Sequence, residues 1–140
     1  MSKKRSFLWM GILLLLLILF AWAYHLYDKP HQSAADEAVS LSIPADSLYR
    51  QYQADEHAAD QKYMGKVIEV TGRISEIQHN GQSEIWILST QRGGGGINCE
   101  LFPGTRTGNP PKVGDQITVK GRCTGFLMDV NLADCVLSNK

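Results

Sequence analysis

The sequence predicts a mainly-β fold, a closed five-stranded barrel preceded by an amphipathic helix and, at the N-terminus, by a transmembrane helix. Three observations carry the prediction. Phe7 to Ala23 (FLWMGILLLLLILFAWA) is a run of 17 residues without a charge. Between residues 44 and 63, Leu48, Tyr52, Asp55, Ala59 and Tyr63 share one narrow stripe at helical spacing. After Gly65 the hydrophobic period changes to two and stays there to the end of the chain. With 140 residues, 44% of them hydrophobic and 20% charged, the composition is that of one folded domain and not of a disordered chain.

Lys3, Lys4 and Arg5 make residues 1–6 a basic tail, and residues 7–27 form the membrane segment. At about 1.5 Å of rise per residue this segment spans roughly the ~30 Å hydrocarbon core of a bilayer. Trp9 lies near its start and Trp22, Tyr24 and Tyr27 near its end, where aromatic rings settle at the two interfaces. Ala21-Trp22-Ala23 also fits a secretory signal cut after Ala23, but the run is long for a signal, which favours a retained anchor. The basic residues stay inside by the positive-inside rule. The expectation is a single-pass protein of the bacterial cytoplasmic (inner) membrane, its N-terminus in the cytoplasm and its C-terminal domain in the periplasm or outside. No cysteine precedes Cys99, so none is available for lipid attachment near the segment.

Residues 28–43 (DKPHQSAADEAVSLSI) are polar and without period, which predicts a linker. The folded part is then expected over residues 44–140. Its first element is a helix from Ala45 to Tyr63, with Pro44 in the first turn, Ser42 as cap and Gly65 as terminator. Strands follow in KVIEVTGRISEI, SEIWILS, INCELF, QITVKGRC and VNLADCVL. Their alternation places Ile68, Val70, Ile74, Ile97, Cys99, Leu101, Ile117, Val119 and Cys123 inside. Gly72 and Gly121 suit the bends of a small barrel, and closure removes exposed edges. An OB-fold is the first choice.

LYRQYQADEHAADQKYMGKVIEVTGRI, KVGDQITVKGRCTG and VNLADC together resemble the tRNA-anti-like family of OB-fold proteins over residues 46–137. The resemblance implies the fold and no particular activity. The chain departs from the family pattern at Asp55, where Asn is expected. FPGTRTGNPPK is too rich in Pro and Gly for the helix common between strands three and four of OB-folds, so the helix from Ala45 to Tyr63 is expected to cap the barrel instead.

In a final hairpin centred on Asp129, Cys123 and Cys135 face each other at roughly 4.5 to 5.5 Å between Cβ atoms. An oxidising compartment would let them bond, and the resulting disulfide would stabilise so small a barrel by about 2 to 4 kcal/mol. Cys99 reads as a buried small hydrophobe. No metal site is expected, because His79, Cys99 and the carboxylates do not complete a recognisable ligand set.

The remaining signals for chemistry are weak. Arg92 and Gly93 to Gly96 lack the GK[ST] of a phosphate loop and read as a flexible hairpin tip. His25, His31, His57 and His79 have no partnered nucleophile, and Asp55 is expected to hydrogen-bond the barrel backbone or a tyrosine. Beyond residue 27 there are 11 basic against 14 acidic residues, a net charge of −3, and over residues 66–140 there are 8 against 7. That balance builds no groove for a phosphate backbone, so no nucleic acid is expected.

The reading is therefore a binding or interaction module tethered through residues 7–27, neither an enzyme nor a cofactor carrier. Its face of Trp86, Asn98, Glu100 and Phe102 would hold an envelope protein or small ligand. The alternatives are a thiol-disulfide protein using Cys123 and Cys135, a carrier like the haem chaperone of cytochrome c maturation, and, against the charge balance, a nucleic-acid-binding OB-fold. With the haem chaperone the chain shares only the architecture, because that carrier requires a haem-attaching histidine after the barrel and this sequence has none beyond His79.

Overall fold

The computed structural model describes residues 2–27, 33–81, 83–91, 93–105 and 108–138. Two compact units divide the chain, one ending at residue 31 and the other beginning at residue 32. In the first, helix α1 (Ser2–Tyr27) takes in residues 2–6, which the sequence reading makes a tail. Its stretch Trp9–Leu26 has a mean hydropathy of 2.1 over 18 residues, and none of it is buried inside the protein. By length and composition it is apolar enough to cross a membrane.

The second unit starts earlier than Pro44. Ser33 caps a 3-10 turn (Ala34–Asp36) by accepting the Ala35 N–H at 3.1 Å. Ala34 is fully buried, and the Ala35 carbonyl accepts from Lys120 Nζ at 2.9 Å. Glu37 pairs with Arg122. Strand β1 (Leu41–Pro44) then runs parallel to β2 (Val67–Asn80), with Ile43 beside Val70. The expected linker is thus part of the fold from Ser33. Among its described residues only Ala34 and Ile43 are buried, too few and too far apart to show a period. Residues 28–32 lie outside the described residues.

The predicted single helix is two, α2 (Ala45–Ala54) and α3 (Glu56–Tyr63). Asp55 leaves the helical conformation between them, and its carboxylate accepts the Ala58 N–H at 3.0 Å as the cap of α3. Pro44 ends β1 and precedes α2, whereas Ser42 sits in β1 and caps nothing. The inner stripe survives the break, because Leu48, Tyr52, Ala59 and Tyr63 are all buried. Met64 and Gly65, the latter at φ +76°, end α3 where the sequence placed the stop.

Five strands close the barrel: β2, β3 (Ser83–Ser89), β4 (Gly96–Leu101), β6 (Asp129–Leu137) and β5 (Gln116–Leu127), with β5 returning to β2. Only the β4–β6 pairing within this circuit is parallel. This is the OB-fold. Ile68, Val70, Ile74, Ile97, Cys99, Val119 and Cys123 line the interior as expected. Gly72 and Gly121 are required by close approach. A Cβ on Gly72 would stand 2.9 Å from Ala45 Cβ, and one on Gly121 would stand 2.4 Å from Cys135 Sγ. Helix α2 packs on the barrel through a ring cluster, with Tyr52 stacked on Phe126 (5.5 Å between centroids) and Tyr49 edge-on to it (5.9 Å). Between β4 and β5 no helix occurs among the described residues.

Candidate ligand-binding face

Residues directly opposite on neighbouring strands share a face of the sheet. Ile85 pairs with Glu100, Trp86 with Cys99, and Ile87 with Asn98. Asn98 and Glu100 therefore stand on the outer face with Ile85 and Ile87, while Trp86 points inward with Cys99. Trp86 is 2% exposed, and its Nε1–H donates to Glu84 Oε1 at 2.8 Å. Its expected place on a ligand face is thus wrong by one step of the alternation. Phe102 follows β4 and donates its backbone N–H to the Cys135 carbonyl at 2.9 Å.

Over β3, β4 and β6 the outer face holds a cavity of about 260 Å³. Its polar lining is Gln78, Asn98, Glu100, Thr124, Asp129 and Asn131; Ile85, Ile87, Leu132 and Ala133 supply aliphatic surface. The parallel β4–β6 register sets Asn98 beside Asn131, and Asn98 Nδ2 donates to Asn131 Oδ1 at 3.2 Å. Asn131 Nδ2 donates to the Asp129 carbonyl at 3.2 Å, and the Thr124 hydroxyl to the Asn131 carbonyl at 3.1 Å. Asp129 Oδ1 accepts the Gly96 N–H at 2.6 Å, which pins the β5–β6 turn to the start of β4. Asn98 Oδ1 is buried without a donor, at a cost of about 1 to 3 kcal/mol until one reaches it. Asn131 and Asp129 escape the sequence reading because only the parallel pairing of chain-distant strands brings them to Asn98.

A second cavity, about 380 Å³, lies at the start of α2. Its charges are already paired. Asp46 holds Arg50 at 3.3 Å and accepts the Gln91 N–H at 3.3 Å, and Arg73 donates to the Gly114 carbonyl at 3.1 Å. Larger though it is, this cavity has no buried side-chain polar atom without a partner among the described residues.

The expected disulfide is not formed. Cys99, Cys123 and Cys135 are free and buried thiols. The final hairpin turns on Met128, at φ +67°, so Leu127 pairs with Asp129 and Cys123 faces Leu132. Irregularities on either side, with Asp134 at φ +54°, bring Cys135 inward over Gly121. Burial pushes the Cys123 thiol up, and burial followed by a hydrogen bond with Cys99 pushes Cys135 well up. Buried thiols held protonated in this way are poor nucleophiles. Among the described residues no group of His, Cys, Asp and Glu is arranged to hold a metal ion.

The glycine run between β3 and β4 is held in place as well. Tyr49 Oη donates to the Gly94 carbonyl at 2.9 Å, and Thr90 Oγ1 to the Gly95 carbonyl at 2.7 Å. Arg92 lies outside the described residues. Asp55 is exposed and serves the helix cap, not the barrel or a tyrosine.

The model of the tRNA_anti-like family matches residues 1–137, so the likeness extends through α1 and beyond the segment quoted from the sequence. No curated protein matches the chain. Among solved structures, a lipoprotein from Klebsiella pneumoniae, provisionally described as nucleic acid-binding, is similar at TM-score 0.57 and 14% identity, covering 70% of this chain and 92% of that one. The OBody AM3L09 bound to hen egg-white lysozyme is similar at TM-score 0.37 and 18% identity, covering 56% of this chain and 87% of that one.

Proposed function

The chain belongs to the tRNA_anti-like family, and on that premise we propose that it is a membrane-tethered, non-catalytic binding module of the bacterial envelope, its ligand seated on the outer face of β3, β4 and β6. The observation that carries the reading is the cavity around the Asn98–Asn131 pair, where a buried amide oxygen has no donor and an aliphatic floor adjoins it. Helix α1 supplies the tether, and the basic residues before it support, by the positive-inside rule, an orientation with the barrel outside the cytoplasm. The Klebsiella relative's description raises nucleic-acid binding, but this cavity is lined by Glu100 and Asp129 and by no Lys or Arg. A phosphate backbone would be repelled there.

Two measurements test the reading. A reporter enzyme that folds only outside the cytoplasm, fused after Lys140, is expected to be active; an inactive fusion contradicts the orientation. A small-molecule fragment library screened by ligand-observed NMR is expected to give hits that Asn131→Lys abolishes. Hits that all survive this substitution place binding elsewhere.

A further inference from the structure

The β5–β6 hairpin ends in two large apolar residues that the core does not use. Leu127 and Met128 are each 83% exposed. Met64, itself exposed, borders them, because its Cε lies 3.2 Å from where a Cβ on Gly125 would stand. Single exposed apolar side chains are ordinary, but a cluster at the tip of a turn is not. Met128 also sits at φ +67°, where Gly or Asn would fit with less strain and where Met gains little packing. A strained position filled by an exposed apolar side chain points to a use outside the fold.

Chain length and charge identify what covers the tip. Helix α1 is apolar enough to cross a membrane, and only residues 28–32 separate its end at Tyr27 from Ser33, where the described part of the second unit begins. The six Cα steps from Tyr27 to Ser33, at about 3.3 to 3.6 Å each, reach no farther than roughly 22 Å, so the module meets the bilayer at high effective concentration. Along β5, Leu127 is seven residues from Lys120, which holds the Ala35 carbonyl, or about 23 Å at strand rise. The tip is thus about one tether length from the point of attachment, and one surface can meet both. Lys62 and Lys66 flank Met64 and are exposed, and ammonium groups beside apolar side chains suit the headgroup layer of an anionic membrane.

We infer that the β5–β6 tip is a membrane-contact site, with Leu127 and Met128 entering the lipid interface, Met64 at its edge, and Lys62 and Lys66 among the headgroups. The inference rests on the tether of the proposed function and adds a second point of contact with the bilayer, separate from the ligand cavity.

The test uses the full chain, ¹⁵N-labelled, one chain per nanodisc of phosphatidylglycerol and phosphatidylethanolamine, with and without a nitroxide on the lipid acyl chains. The Leu127 and Met128 amides are expected to broaden together with the α1 amides from Leu13 to Leu19, while Asn80 and Gly81 at the β2–β3 turn stay sharp. In the double variant Leu127→Ser/Met128→Ser the tip broadening is expected to fall at least fivefold with the rest of the barrel spectrum unchanged. Broadened α1 amides with a silent tip overturn the inference and leave the tether standing; silence in both overturns the two together. Equal broadening at both turns, or tip broadening that the double variant leaves unchanged, also overturns the inference. Tip amides that shift only when two chains share a disc, without broadening by the nitroxide, assign the patch to a second copy and overturn it likewise.

Discussion

The Tyr52 hydroxyl and the Cys123 thiol lie 3.2 Å apart and share a hydrogen bond inside the protein, beside the stacked rings of Tyr52 and Phe126. This contact ties the capping helix to β5. It also gives Cys123 a role in packing, where the sequence pattern pointed to half of a covalent staple.

Alkaline titration checks that role. Burial, then the hydrogen bond to Cys123, pushes the Tyr52 hydroxyl far above the ordinary tyrosine value of 10.0, and burial raises Cys123 and Cys135 above the ordinary thiol value of 9.0. The unfolded chain therefore loses these protons first. Stability from these groups is fully present below pH 9.0 and falls as pH rises beyond it, by about 1.4 kcal/mol per pH unit for each group that has titrated in the unfolded chain alone. Urea melts from pH 8 to pH 11 should show the midpoint dropping; a flat profile contradicts the buried, protonated assignment.

The break between α2 and α3 depends on one carboxylate. Asp55→Ala removes the acceptor of the Ala58 N–H and is expected to cost about 1 kcal/mol, whereas Asp55→Asn, still able to cap, should cost only a fraction of that. Denaturant unfolding of the three proteins measures it. Equal losses for Ala and Asn would mean that the cap contributes nothing.

Gly121 and Cys135 occupy one volume between them. Gly121→Ala places a Cβ 2.4 Å from Cys135 Sγ and should destabilise by about 1 to 3 kcal/mol. Cys135→Ala vacates that space, so the double variant should recover part of the loss, a coupling of at least about 0.5 kcal/mol in a double-mutant cycle. Additive losses would place the sulfur elsewhere.

The turn at Met128 carries strain of the left-handed kind. Met128→Val, a β-branched residue at positive φ, should destabilise by about 1 to 2 kcal/mol, and Met128→Gly should be neutral or stabilising. The side chain is 83% exposed, so a difference between the two variants measures backbone conformation and not lost packing. Indistinguishable melts would contradict a hairpin centred there.

Much of the fold was legible because it follows from local pattern. The charge-free run, the stripe from Leu48 to Tyr63, and the alternation through Ile68, Val70, Ile97, Cys99 and Val119 each identify an element and its inward face. What escaped depends on irregularities that leave little trace in composition. A hairpin turning one residue earlier, together with its irregularities, moved Cys123 opposite Leu132, and Asp55 broke a helix whose stripe continued through it. Of the expected face, Asn98 and Glu100 do share the cavity, Trp86 is inside, and Asn131 joins only through the parallel β4–β6 pairing.

The claim that matters most is that the ligand occupies the outer face of β3, β4 and β6, not the larger cavity at the start of α2. A photoreactive benzophenone residue placed at Gln78 or at Gln91 in the full chain, irradiated in living cells and followed by intact mass, compares the two cavities directly. The account predicts a discrete added mass from the Gln78 position and none from Gln91. Adducts from Gln91 alone, or equally from both, would contradict it.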